Sequence, residues 1–269
     1  SDLGKLKEAE LLTRKAIELK PHFANAHYNL GNTLKGLGKL KEAELLTRKA
    51  IEIKPDFADA HFNLGIILKG IGKLKEAELS YHKALKFKPN FADAHFNLGG
   101  ILNNLGNLQD AEYSIRKAIA IKPDFTKAYY SLSLLKYSDE NKTWQDQLFS
   151  ENLLINKSQK DQVNIYFARA NVLHKEKKYA ESSKFIQLAN QIKFDLRPSK
   201  PNILINQSKV LLIESDKKNI HQEERSNYPQ SIFIVGMPRS GSTLLESILS
   251  MSNDVYDLGE INILEESFL

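Results

Sequence analysis

The stretch from Ser231 to Ser250, SIFIVGMPRSGSTLLESILS, holds the residues best suited to chemistry. Ser231 to Val235 is a run of β-formers bounded by Pro229 and Gly236, which reads as a short buried parallel strand. Leu244, Leu245, Ile248 and Leu249 then fall at helical spacing. A glycine-bearing turn between a strand and a helix can curl its N–H groups inward around an anion. Gly241 permits that curl, and the helix N-terminus adds its dipole. Arg239, inside the loop, adds a forked cation suited to a compact dianion or a phosphosulfate. A second set of groups recurs with a fixed period. Asn29, Asn63 and Asn97 stand 34 residues apart. An amide both donates and accepts, so a ladder of amides would hold an extended peptide backbone without reading its sequence. His27, His61 and His95 share the period. Successive repeats advance by roughly 10 Å, too far for these rings to share a metal, so they read as packing residues and no metal site is expected.

The spacing from Gly236 to Gly241 fits the loop G-x-x-x-x-G-K-[ST] of nucleotide triphosphatases, but Ser242 stands where that motif needs Lys. Without the Lys that reaches the β- and γ-phosphates, ATP or GTP hydrolysis is disfavoured. The hexapeptide PRSGST, Pro238 to Thr243, resembles the 5′-phosphosulfate loop of sulfotransferases that use 3′-phosphoadenosine 5′-phosphosulfate (PAPS). The form with Arg in the loop is shared by tyrosylprotein sulfotransferases. The resemblance implies that Pro238, Arg239, Ser240, Gly241, Ser242 and Thr243 cradle the phosphosulfate. The family more often has Thr at the place of Ser242, and Ser keeps the hydroxyl. Downstream, SNDVYDLGEINILEE aligns without a gap with the family segment that supplies a catalytic carboxylate, which falls on Glu260. The implied roles are a general base at Glu260 and charge compensation on the leaving phosphate by Arg239. Asp257, Glu265 and Glu266 are neighbouring carboxylates. PAPS is the implied co-substrate and no metal is required. A domain of this kind needs a full doubly wound sheet, whereas 26 residues follow Thr243. The expectation is that this piece is the N-terminal part of a longer enzyme and is inactive alone.

The elements before the loop must position what it would act on. Pro21, Pro55, Pro89 and Pro123 recur every 34 residues, each closing one pattern. One copy reads ADAHFNLGIILKGIGKLKEAELSYHKALKFKPNF, Ala58 to Phe91. Leu64 and Leu68 fall one turn apart, and Gly65 lets a second helix approach. Gly72 ends the first helix in a left-handed conformation. Ala77, Tyr81 and Ala84 share a face of the second helix, and Pro89 stops it. A single hairpin cannot bury its apolar face, so the units must stack. Gly65, Ala77, Ala84 and Pro89 sit at the signature offsets of the tetratricopeptide (TPR) family, with His61 where Trp is commonest. The resemblance covers 1–137 and implies a peptide-binding concave face built from first helices. Repeats of glycosyltransferases that modify protein Ser and Thr carry an Asn ladder similar to Asn29, Asn63 and Asn97. A fifth repeat begins at Thr126 and decays. Residues 138–196 read as a degenerate TPR-like region, with a hairpin built on Tyr166, Ala170 and Leu173, then Tyr179, Ser182, Ile186 and Ala189. Residues 197–230 read as a linker with a helix, and 231–269 as the opening of the sulfotransferase domain. The expected fold is mainly α, a TPR α/α superhelix followed by the first strand–loop–helix of a P-loop-like α/β domain.

Composition narrows the classes. No Cys is present, which excludes disulfides and thiolate chemistry. No apolar run reaches the roughly 20 residues of a membrane helix, and no secretory signal is seen, so a cytoplasmic protein is expected. The chain opens on Ser1 in mid-repeat, so both ends read as cut. The net charge of +5 comes mostly from Lys scattered over repeat helices, without a reader motif for nucleic acid. The leading expectation is a PAPS-dependent sulfotransferase whose array recruits a protein or peptide acceptor. The alternative is a TPR interaction scaffold with a vestigial loop. Whether the acceptor is tyrosine, carbohydrate or a small molecule is left open by the residues.

Overall fold

Each 34-residue unit becomes a helical hairpin because its sequence supplies two apolar faces, a left-handed turn and a proline stop. The computed structural model describes residues 2–135 and 143–196. The linker, strand, loop and helix expected within 197–269 lie outside the described residues. Helix α1 (Asp2–Leu19) is followed by three hairpins. These are α2 (Ala24–Gly36) with α3 (Leu40–Ile53), α4 (Ala58–Gly70) with α5 (Leu74–Phe87), and α6 (Ala92–Asn104) with α7 (Leu108–Ile121). Each second helix also packs on the first helix of the next unit, which gives the stacked α/α arrangement expected from the period.

The turn inside each hairpin is set by its backbone hydrogen bonds. In α4–α5 the Lys73 N–H donates to Leu68 O at 2.9 Å and the Gly72 N–H to Lys69 O at 3.1 Å. That pair of bonds is a Schellman motif, which requires φ > 0 at Gly72, where φ is +82°. The next stop falls one residue before proline. Helix α5 ends at Phe87, and Lys88 is held at φ −138°, ψ 80° by the ring of Pro89.

Close packing within the hairpins depends on a glycine at one position of each first helix. A Cβ on Gly65 would sit 2.5 Å from Tyr81 Cε1, and Cβ atoms on Gly31 and Gly99 would sit 2.5 Å from Thr47 Oγ1 and Ile115 Cγ1. Ala77, Tyr81 and Ala84, assigned to one face of the second helix, are all fully buried. One cluster runs from Leu64 through Leu98, Ile115 and Tyr129 to Val172, and a smaller one joins Leu30, Leu34, Ala43 and Ile67.

The period fails after α8 (Thr126–Leu134). A seven-residue helix, α9 (Thr143–Phe149), and a 3-10 turn at Glu151–Leu154 follow, where a second helix would be expected. Trp144 and Leu148 of α9 enter the core. A last hairpin, α10 (Gln159–Lys175) and α11 (Tyr179–Leu196), closes the described part, and α10 packs broadly on α8. Ser182 and Ala189 are buried on α11, but Tyr179 and Ile186, placed on the same face by sequence, are 58% and 40% exposed. Among the described residues α11 packs chiefly on α10, which covers one side of the helix and not the whole stripe.

Candidate functional site

The candidate site is the row of first helices α2, α4 and α6, which meet one another along the array. Their spacing is fixed by two ladders. In the first, each ring at one position bonds a proline carbonyl six residues earlier. His27 Nε2 lies 2.7 Å from Pro21 O, His61 Nε2 2.9 Å from Pro55 O, and His95 Nε2 3.0 Å from Pro89 O. A carbonyl only accepts, so Nε2 carries the proton in each ring. In α8 the position is Tyr129, whose hydroxyl donates to Pro123 O at 3.0 Å. The Tyr preserves the staple with a different donor. Burial holds the His61 and His95 imidazoles below their ordinary pKa, so both favour the neutral ring that the staple uses. The packing role assigned to these rings therefore includes a specific hydrogen bond.

The second ladder is aromatic and was not singled out in sequence, although it shares the period. Tyr28 meets Phe57 at 5.0 Å between ring centroids, Phe62 meets Phe91 at 4.6 Å, and Phe96 meets Phe125 at 4.9 Å. Each pair joins one first helix to the entry of the next. Lys54, Lys88 and Lys122 lie over the faces of Phe57, Phe91 and Phe125 at 5.2, 4.2 and 5.2 Å.

Against this frame the three asparagines occupy different environments. Asn29 is exposed. Asn97 is half-buried, and its Nδ2 donates to Asp93 O of its own helix at 2.8 Å. Asn63 is buried; its Oδ1 accepts from Lys35 Nζ of the preceding repeat at 2.6 Å, and its Nδ2 has no partner. Lys35 is half-buried, and burial holds its ammonium below the ordinary lysine pKa. The row thus offers one free amide, one amide spent on its own backbone, and a Lys35–Asn63 pair with N–H groups left over.

A further residue missed in sequence is Arg169 on α10, 3% exposed. Its Nε donates to Leu148 O at 2.9 Å and its guanidinium to Ser150 O at 3.0 Å. It caps the irregular α9 segment, and no sequence motif marks it. Pro238, Arg239, Ser240, Gly241, Ser242, Thr243 and Glu260 all lie outside the described residues. Among the described residues, no helix is long and apolar enough to cross a membrane.

Comparison with known proteins gives two kinds of match. Residues 24–57, 58–91 and 81–113 match tetratricopeptide repeat family models, and residues 229–268 match the model of the Sulfotransferase family. No curated protein matches the chain. The chain is similar in structure to MamA, at 19% identity over 73% of this chain and 93% of that one, with a TM-score of 0.47. It is also similar to YrrB, described as a TPR protein with an unusual peptide-binding site, at 17% identity over 73% and 97%, with a TM-score of 0.48. Pseudomonas aeruginosa pilF matches at 24% identity over 62% and 75%, with a TM-score of 0.49. With glycine-gated hairpins, Schellman turns and the matched repeats in hand, residues 24–113 of this chain are tetratricopeptide repeats, an architecture for protein–protein interaction.

Proposed function

We propose that the array recruits a protein or peptide acceptor for sulfate transfer from PAPS. The observation that carries this reading is the loop Pro238–Thr243, with Arg239 inside it, within the 229–268 segment that matches the Sulfotransferase family. The loop N–H groups, Ser240, Ser242 and Thr243 would hold the phosphosulfate. Glu260 would take the proton of the acceptor hydroxyl as its oxygen attacks sulfur. The bond from sulfur to the bridging oxygen breaks, the sulfate ester forms, and adenosine 3′,5′-bisphosphate leaves with its new charge offset by Arg239. On the array, the exposed Asn29 and the half-buried ammonium of Lys35, oriented by buried Asn63, are the polar groups best placed to hold a peptide backbone.

A second reading, a TPR scaffold whose loop is vestigial, is favoured by the regularity of the matched repeats alone. Binding of adenosine 3′,5′-bisphosphate to the full-length protein, measured by calorimetry, separates the two. The sulfotransferase reading expects binding that Arg239→Ala weakens, and transfer from PAPS that Glu260→Ala abolishes while binding persists. No binding at millimolar nucleotide would leave the scaffold. For the array, Asn29→Ala with Asn63→Ala should weaken capture of acceptor peptides; unchanged affinity would remove the amide row from the site.

A further inference from the structure

The second helices carry a pattern on the surface turned away from the asparagine row. Leu11, Leu45, Leu79 and Tyr113 occupy one position of α1, α3, α5 and α7 and are 57%, 70%, 63% and 61% exposed. Four large apolar groups in register form a stripe rather than scattered surface residues. Arginines and carboxylates beside it pair across repeats, Arg14 with Glu42 at 3.6 Å and Arg48 with Glu76 at 2.8 Å. That pairing consumes acidic charge and leaves lysines over. Lys7, Lys15, Lys41, Lys75, Lys83 and Lys117, one turn to either side of the stripe, are exposed and form no ion pair. Glu8 and Asp110 on the same flank form no ion pair either, and Glu78 beside Leu79 has His82 as its neighbour at 3.9 Å.

A cavity opens on the stripe. It has a volume of about 360 Å³, lies between α3 and α5, and has α4 as its floor. That volume falls in the range of clefts that take ligands, about 300–1,000 Å³. Ile51, Leu64, Leu68 and Leu79 supply its apolar wall, and Arg48, Glu52, Glu76 and Lys83 its polar rim, where Arg48 pairs with Glu76 and Lys49 with Glu52. Ser80 of α5 lines it, a small residue where α3 has Leu46 and α7 has Ser114 at the same repeat position. The wall also includes His61, 4% exposed, whose Nδ1 has no hydrogen-bond partner.

We propose that this outer face docks an acidic amphipathic helix of a partner protein, which seats a bulky apolar side chain in the cavity between α3 and α5. First helices of successive repeats touch and second helices do so less, so like positions on the stripe stand somewhat more than the roughly 10 Å of directly packed helices apart, close to the rise of about 10.5 Å over seven helical residues. A helix laid across the array with an apolar residue at every seventh position therefore meets the stripe in step. Carboxylates on both sides of its apolar seam meet the unpaired lysines. The surface is separate from the asparagine row.

The test uses the 269-residue chain and a fluorescein-labelled synthetic helix with Trp or Leu at every seventh position and Glu on both flanks, read by anisotropy. The expected result is saturable binding that salt weakens. Ser80→Leu, which fills the cavity with the residue of the neighbouring repeat, and Lys75→Glu with Lys83→Glu, which reverses the flank, should each raise Kd by about tenfold or more. Circular dichroism melts of both variants should match the parent. No binding by the parent chain would overturn the proposal. Affinities within about twofold for parent and both variants, or equal binding of a peptide with Ala at the anchor positions, would do so too. Binding to phosphatidylglycerol vesicles without binding to the peptide would assign the face to a membrane and also overturn it.

Discussion

Replacing Gly65 by Ala tests the packing of the hairpin with a magnitude that can be worked out. The new Cβ would lie 2.5, 2.7 and 2.8 Å from Cε1, Cδ1 and Cζ of Tyr81. Carbon atoms attract at separations of about 3.5–4.0 Å, so the ring must retreat by nearly 1 Å. It has little room, because Tyr81 is fully buried and packs on Phe62 at 5.9 Å. Overpacking of this kind costs about 1–3 kcal/mol, and this contact belongs at the upper end. Ala gains about 1 kcal/mol over Gly in a helix interior, so the net loss is about 2 kcal/mol. Gly100 is the control. It lies inside α6, and a Cβ there meets nothing within 4 Å. Gly100→Ala should therefore stabilise by about 0.5–1 kcal/mol. Urea melts followed by circular dichroism should move in opposite directions for the two variants. The second arm of the test is the double-mutant cycle with Tyr81→Ala: once the ring is gone the new Cβ has nothing to displace, so the combined loss should fall short of the sum of the two single losses. If Gly65→Ala raised stability as Gly100→Ala does, the close approach of α4 to α5 would be wrong.

Three further outcomes follow from single contacts. Lys177 holds the left-handed turn of the last hairpin at φ 61°, so Lys177→Gly should raise the melting midpoint by the equivalent of about 1 kcal/mol. Arg169→Met removes two hydrogen bonds from a buried cation to backbone carbonyls, and a loss of about 3 kcal/mol is expected in the same melt. Acidification from about pH 8 to about pH 5 should weaken the array through His61 and His95. Their folded pKa values lie below the ordinary one, so the unfolded chain takes up protons first. The stability is complete above about 6.5 and is lost as pH falls through the folded values. His61→Tyr with His95→Tyr, copying Tyr129, should flatten that dependence.

The period made most of the array legible, because every repeated position repeats a physical job. Gly72 in its left-handed turn, Gly65 against Tyr81, and Pro89 behind the helix stop can all be read from one copy. The link from His61 to Pro55 was harder, since a ring in the Trp position reads as packing until its acceptor is seen. Tyr129 shows that the conserved quantity there is a donor aimed at a carbonyl. The aromatic ladder was readable in principle, for Tyr28, Phe62 and Phe96 share the 34-residue spacing with Phe57, Phe91 and Phe125. Lys177 and Arg169 were not readable. A Lys in a turn that usually takes Gly leaves no signal, and Arg169 serves carbonyls of a segment that has no repeat to compare with. The asparagine row illustrates the opposite limit: one spacing gave three environments, because Lys35 reaches Asn63 while Asn97 bonds its own helix.

The departures from the repeat concentrate in α4–α5, and that concentration bears on function. His61 Nδ1, Asn63 Nδ2 and the Tyr81 hydroxyl are all buried without hydrogen-bond partners in this one hairpin. An unsatisfied buried polar group costs about 1–3 kcal/mol, so the hairpin gives up stability that its neighbours keep. The neighbours avoid two of the three costs, with Thr47 or Ile115 in place of Tyr81 and with Asn29 exposed or Asn97 bonded. The same hairpin borders the cavity on one side and holds Asn63 of the Lys35–Asn63 pair on the other. A repeat shaped only for stacking would have no reason to bury the Tyr81 hydroxyl and Asn63 Nδ2 without partners. Tyr81→Phe separates the two accounts, since it deletes an orphaned hydroxyl without changing the ring. It should leave stability equal or raise it by up to about 1 kcal/mol. A loss of stability would mean that the hydroxyl has a partner and that α4–α5 is an ordinary stacking unit.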